Sequence, residues 1–329
     1  MNLKNKKVFV TGAGGFIGSH LCSKLANEGA LVTAMLHYNS RSDWSNLEFL
    51  DSDTIKSLKV IKGNVEDSSF MDYHTKGQDI IFHLAALIGI PYSYEAPLSY
   101  VKTNIQGTVN VLESTRKNKI PLIINTSTSE TYGTAQYTPI DELHPLQGQS
   151  PYSASKISAD KLSESYYNSF KTPVITVRPF NTFGPRQSSR AVIPTIISQL
   201  LTEKNLYLGD LSPLRDFTYV EDTVQGFINA AKYNQHLGEV INLGYGKAAS
   251  IGEIANLIMD IMGINKEIIS DSNRVRPKDS EVMNLISNNS KAKKLINWEP
   301  KIDLRAGLTK TIDFISNNLD FYKTKSYNI

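Results

Sequence analysis

The chain has 329 residues, with 35 Lys and Arg against 32 Asp and Glu, a formal net charge of +3, and 40% apolar residues. That length supports a large core and either two domains or one domain with a sizeable extension. The near-balanced charge, with no basic block, excludes a nucleic-acid-binding class, and no apolar run approaches membrane-spanning length. Cys22 is the only cysteine, which excludes an internal disulfide framework and suits a reducing compartment. No signal sequence is recognised ahead of the first apolar run, so a soluble, cytoplasmic protein is expected, with neither a nucleic acid nor a membrane as partner.

The first element is an apolar strand, Lys6–Val10. It runs into Val10-Thr-Gly-Ala-Gly-Gly-Phe-Ile-Gly18 and then into an amphipathic stretch, Ser19–Glu28. Strand, glycine turn and helix are the start of a dinucleotide-binding βαβ unit. Gly12 lets the chain turn sharply, Gly15 lets backbone approach a pyrophosphate, and Gly18 lets the helix pack close to the strand. Phe16 and Ile17 belong to the same cofactor-facing turn, where helix N–H groups and the positive dipole end await phosphate.

Leu31–Leu36, Ser57–Ile61, Asp79–Leu84, Leu122–Thr126 and Val174–Val177 follow as strands, with helices predicted at Pro97–Asn118 and Pro151–Phe170. This alternation predicts an α/β fold, a doubly wound parallel sheet of the Rossmann type with helices on both faces. Ligands bind beyond the carboxyl ends of such strands. After Pro179 the pattern loosens into a helix at Val192–Glu203, a strand at Asn205–Gly209, a helix at Asp222–Tyr233, a strand at Glu239–Leu243 and a helix at Ser250–Met262. The expected division is 1–180, with 217–245 returning to it, against a smaller interleaved C-terminal domain of 181–216 and 246–329.

The chemistry centres on Tyr152-Ser-Ala-Ser-Lys156. Ser150 and Pro151 make an N-cap and a first-turn proline, so Tyr152 and Lys156 share one helix face. A cation beside a tyrosine favours its phenolate and lowers its pKa, which suits a base acting on a sugar hydroxyl.

With these residues in place, the chain resembles the extended short-chain dehydrogenase/reductases that act on nucleotide sugars. The resemblance rests on the glycine turn, His83-Leu-Ala-Ala86, Asn104-Ile-Gln-Gly-Thr108, Ser127-Thr-Ser-Glu-Thr-Tyr-Gly133, the Tyr152/Lys156 pair, Arg178-Pro-Phe-Asn-Thr-Phe-Gly-Pro-Arg186, Arg215-Asp-Phe217 and Arg274-Val-Arg-Pro277. It implies NAD as cofactor, bordered by Leu84, Ala85 and Ala86 and cupped at its adenine by Asn64 and Val65. It also implies a nucleotide-sugar substrate in the smaller domain, its diphosphate held by Asn181, Arg215 and Arg276. A homodimer through Pro97–Asn118 and Pro151–Phe170 is implied as well.

In the family, 4,6-dehydratases carry Thr-Asp-Glu where this chain has Thr128-Ser129-Glu130. The Thr polarises the C4 oxygen, the Glu removes the C5 proton and the Asp protonates the departing C6 hydroxyl. Nucleotide-sugar decarboxylases also show Thr-Ser-Glu. However, Ala86–Tyr94, Thr126–Gln136 and His144–Tyr152 resemble the dehydratases of legionaminic-acid pathways, which act on nucleotide-activated N-acetylglucosamine. The expectation is an NAD-dependent 4,6-dehydratase in bacterial surface-glycan synthesis, with Thr128, Ser129, Glu130, Tyr152 and Lys156 catalytic and Glu130 handling both proton transfers. A UDP-glucuronate decarboxylase is the alternative, then a 4-epimerase. The second strand closes without an acidic residue at Leu36 or His37, and nearby Arg41 could accommodate a 2′-phosphate. No metal site is expected.

Overall fold

The apolar runs of the first half become parallel strands: β1 (Lys7–Thr11), β2 (Leu31–His37), β3 (Lys59–Gly63), β4 (Ile80–His83), β5 (Leu122–Thr126) and β6 (Val174–Pro179). They form in a computed structural model that describes residues 1–274 and 280–322. With β10 (Val240–Leu243) they make one seven-stranded sheet in the order β10-β6-β5-β4-β1-β2-β3. Every pairing in it is parallel. Helices on both faces explain why β4 and β6 are buried at every residue. The strand order reverses between β1 and β4, and the opening at that switch point is where such a sheet receives ligands.

Two expected elements differ in their bounds. The third strand starts at Lys59 rather than Ser57, because Asp51 caps a short helix, Ser52–Ser57, by accepting from Thr54 N at 2.8 Å. The run predicted as one helix, Pro97–Asn118, divides into Pro97–Tyr100, a π-helical turn Val101–Gln106 and Gly107–Lys117. Such a turn often accompanies a functional site. Here it carries Asn104, whose side chain reaches the Leu87 backbone. At Gly107 a Cβ would meet Val65 Cγ2 at 2.8 Å, so only glycine allows the helix this close to the loop after β3.

The second half adds β7 (Asn181–Phe183), β8 (Leu206–Leu208), β9 (Leu214–Tyr219), β11 (Ala248–Ser250), β12 (Ile268–Ser270) and β13 (Asn284–Leu285). A second sheet forms around β9, which pairs antiparallel with β11 and parallel with β13 and β7. β9 runs across the expected 216/217 boundary. Directly after it, the helix Val220–Lys232 packs on the Phe16–Asn27 helix and leads into β10 at the edge of the large sheet. One apolar cluster extends from Val8 and Val10 to Phe183, Phe217 and Leu308, so both sheets share a core. Among the described residues no helix is long and apolar enough to cross a membrane.

Candidate active site

A cavity of about 930 Å³ lies beyond the carboxyl ends of the large sheet and is closed from the other side by residues around β7 and β9. The glycine turn forms one end. Gly12 has φ +68°, and a Cβ there would meet Ala85 N at 2.8 Å. A Cβ on Gly18 would meet Gly12 O at 2.2 Å, which is the close helix–strand approach expected of the third glycine. Gly15 caps the helix Phe16–Asn27 without any side-chain bond, and the first turn carries no acidic residue. Its N–H groups and positive dipole end are therefore left for an anion. Gly12, Gly15, Phe16, Ile17 and Gly18 all line the cavity, as do Asn64, Val65, Leu84, Ala85 and Ala86.

The loop after β4 is fixed by a buried chain of hydrogen bonds. Leu84 N and Ala85 N both donate to Thr11 Oγ1 at 3.1 Å. Thr11 Oγ1 lies 2.9 Å from His83 Nδ1, and His83 Nε2 lies 3.1 Å from Thr108 Oγ1. Since Thr108 donates its own proton to Asn104 O, the ring is neutral with its proton on Nε2. Burial, with a smaller contribution from the Lys156 charge, pushes the His83 pKa down to about 3.

At the adenosine end, β2 closes with His37, and no acidic residue takes the usual ribose position. Arg41 does not line the cavity; Asn39 does. Asn39 Oδ1 accepts from Arg41 N at 3.1 Å, and its Nδ2 donates to Asp43 Oδ1 at 3.4 Å. The turn thus presents an amide, with the arginine side chain exposed beyond it.

Near the middle of the cavity stand Thr128, Glu130, Tyr152 and Lys156. Ser150 and Ser153 form a reciprocal capping box, with Pro151 in the first turn, so the helix Pro151–Phe170 starts where the sequence indicates. Tyr152 is 7% exposed, and its ring meets Tyr100 edge-on with centroids 6.2 Å apart. The expectation that Lys156 lowers the Tyr152 pKa is not met. Burial holds the phenol well above its ordinary value, opposed by the hydrogen bond with Thr128 and reinforced by the Glu130 charge. The Lys156 ammonium is spent on the Thr126 carbonyl, and burial lowers its own pKa against the pull of Asp160.

Thr128 caps the turn Ser129–Tyr132, accepting from Glu130 N at 3.3 Å. That turn sends Glu130 to the cavity wall. Ser129, expected among the catalytic residues, is 2% exposed and is not on the wall. One residue of a tight turn faces in while its neighbour faces away, which the linear motif could not express.

At the far end, Asn181 and Arg215 line the cavity as expected, and Arg276 lies outside the described residues. Asn181 Oδ1 is buried without a hydrogen-bond partner among the described residues. Arg215 Nη2 donates to Glu281 Oε1 at 2.6 Å, a pairing that holds the guanidinium in place. Glu281, Ser188 and Arg190, also on the wall, were missed by the sequence reading. For Arg190 a signal existed: it closes Arg186-Gln-Ser-Ser-Arg190, directly after the quoted motif.

With this geometry in view, the family model described as GDP-mannose 4,6 dehydratase matches residues 9–311. The chain belongs to this family. It is 35% identical over 319 residues to a Bacillus subtilis (strain 168) protein named uncharacterized UDP-glucose epimerase YtcB, spanning 94% of this chain and 98% of that one. It is 29% identical over 328 residues to the dTDP-D-glucose 4,6-dehydratase of Bos taurus, spanning 97% and 91%. Among solved structures, the UDP-glucuronic acid 4-epimerase from Bacillus cereus, in complex with UDP-glucuronic acid and NAD, superposes with a TM-score of 0.85 at 30% identity, covering 95% of this chain and 99% of that one. The family thus holds NAD-binding nucleotide-sugar dehydratases and 4-epimerases on this fold.

Proposed function

We propose that the protein is an NAD-dependent 4,6-dehydratase of UDP- or GDP-linked N-acetylglucosamine. Glu130 carries the reading, because a carboxylate shares a wall with Thr128 and Tyr152. A 4-epimerase exchanges hydrogen only at C4, and Glu130 has no task in that reaction. A dehydratase must take a proton from C5 and give one to the departing C6 oxygen.

The glycine end fits the dinucleotide, since the uncapped helix start and the Cβ-free turn suit a pyrophosphate. NAD, when bound, supplies the acceptor for the C4 hydrogen and its return to C6, so the reaction has no net redox change. Tyr152 takes the C4 hydroxyl proton. Thr128, on the same wall as Tyr152, donates to the developing ketone. The ketone acidifies C5, and Glu130 removes that proton and relays it to the C6 oxygen, which leaves as water. C5 then regains a proton, in sum the one Tyr152 took from the C4 hydroxyl. Ser129, buried off the wall, takes no part. Asn181, Arg215 and Arg276 hold the diphosphate, and the lobe of 181–216 and 246–329 holds the rest of the nucleotide. Exposed Leu98, Val101 and Phe170 on the two helical runs Pro97–Lys117 and Pro151–Phe170 support pairing as a homodimer.

The test is mass spectrometry after incubation with UDP-GlcNAc, GDP-GlcNAc, dTDP-glucose and UDP-glucuronate. Loss of water from an N-acetylglucosamine nucleotide is expected. Loss of carbon dioxide from the glucuronate would make the protein a decarboxylase, which the Thr-Ser-Glu triplet also suits. An isomer of unchanged mass would make it a 4-epimerase, as several relatives are named.

A further inference from the structure

The loop after β4 offers an unusual pair of surfaces to the sugar. Leu87 is fixed at both backbone groups by Asn104, whose Oδ1 accepts from Leu87 N at 2.8 Å and whose Nδ2 donates to Leu87 O at 2.9 Å. Two residues on, Gly89 O accepts from the Tyr100 hydroxyl. Between these anchors Ile88 is held out into the cavity, 60% exposed although the chain on either side is pinned. On the same cavity wall is Arg190, whose Nη1 lies 3.1 Å from where a Gly89 Cβ would stand. Arg190 Nε donates to Ser188 Oγ at 3.4 Å, and among the described residues no carboxylate pairs with the guanidinium.

The strand order separates these two side chains from Glu130. Thr128 and Glu130 follow β5, whereas Ile88 and Gly89 follow the neighbouring β4. Tyr152 lines the same cavity and packs edge-on against Tyr100, which in turn donates to Gly89 O. If C4 lies at Tyr152 and the C5–C6 edge faces Glu130, as the proposed function requires, the C3–C2 edge faces Ile88 and Arg190.

We infer that Ile88 and Arg190 form a subsite for an acylamido group at C2 of the nucleotide-linked hexose. The acyl methyl packs on Ile88, and the acyl oxygen accepts from the Arg190 guanidinium. A C2 hydroxyl is too short to use the apolar surface, and a carboxylate would pair with Arg190 but leave Ile88 without an apolar partner. This assignment rests on the dehydratase reading for the orientation of the ring, so its test is read separately from turnover.

Affinities are measured by calorimetry on the Tyr152→Phe protein, in two pairs: UDP-GlcNAc with UDP-glucose, and GDP-GlcNAc with GDP-glucose. In the nucleotide series that binds, the acetamido sugar should bind at least roughly tenfold tighter. Ile88→Ala and Arg190→Ala should each remove most of that preference, as expected when a methyl-sized pocket or a hydrogen-bond donor is lost. Arg190→Lys should restore part of it. Equal affinity within both pairs, or a preference that survives both substitutions, overturns the subsite. Absence of water loss in wild-type turnover overturns the dehydratase reading, while the affinity preference still decides the subsite.

Discussion

Arg178 grips Asp160 inside the protein, with Nε at 3.0 Å and Nη2 at 2.8 Å from the same carboxylate oxygen, one turn beyond Lys156 on the helix Pro151–Phe170. Both side chains are almost fully buried, and Ser127 donates to the same oxygen at 2.6 Å. Arg178 Nη1 also donates to the Tyr132 hydroxyl at 2.9 Å, which ties β6 to the turn that carries Glu130. A buried ion pair adds little over apolar packing, but removing one partner strands the other charge. Asp160→Asn and Arg178→Met should each cost about 3–5 kcal/mol in denaturant unfolding. The double variant Asp160→Asn/Arg178→Met should cost well below the sum of the two. Strict additivity would mean that the pair is not coupled.

Tyr152→Phe should bind dinucleotide normally and lose at least about a hundredfold in turnover, as for a positioned acid or base. Glu130→Gln tests the other half of the mechanism. It should still oxidise C4, so reduced nicotinamide accumulates by absorbance with little 4-keto-6-deoxy product. Ser129→Ala should be mild, because that hydroxyl is buried off the cavity wall. A loss as large as that of Glu130→Gln would give Ser129 a direct role and refute the two-step glutamate.

Arg215→Ala should raise KM for the nucleotide sugar with a smaller change in kcat, by removing a diphosphate contact present in ground and transition states alike. The same change leaves Glu281 without the 2.6 Å partner shown here, so Glu281→Gln should recover part of the affinity in the double variant. An unchanged KM for Arg215→Ala would move the phosphates elsewhere in the cavity.

Buried His83 and half-buried His20 set an acid limit on stability. Burial depresses the pKa of His20 to about 3, helped by the Arg186 charge, and burial likewise depresses that of His83 to about 3. Below its ordinary pKa of about 6.5 the unfolded chain takes up protons that the folded chain refuses, so stability falls with falling pH. Between pH 6.5 and 5.5 each histidine should cost roughly 1 kcal/mol, and His83→Asn should flatten that slope while lowering stability at neutral pH. The check is the midpoint of thermal unfolding followed across that range. A slope that His83→Asn leaves unchanged would contradict the neutral assignment.

Local chemistry was legible in the sequence wherever it depended on near neighbours. The glycine turn requires bare backbone at Gly12 and Gly18 whatever surrounds it, and Ser150-Pro151 sets the start of the helix Pro151–Phe170 by bonds within one turn. The doubly wound sheet followed for the same reason, since strands buried on both faces read as continuous apolar runs. The strands β9, β11 and β13 escaped notice because Leu214-Arg-Asp-Phe-Thr-Tyr219, Ala248-Ala-Ser250 and Asn284-Leu285 hold no continuous apolar run of the kind that marks the large sheet. Only the tertiary structure decided which of Ser129 and Glu130 reaches the cavity, that Glu281 holds Arg215, and that Lys156 turns to Thr126 while burial raises Tyr152. Those outcomes depend on partners far away in the chain and on how much water is excluded, and neither is written in the spacing of a motif.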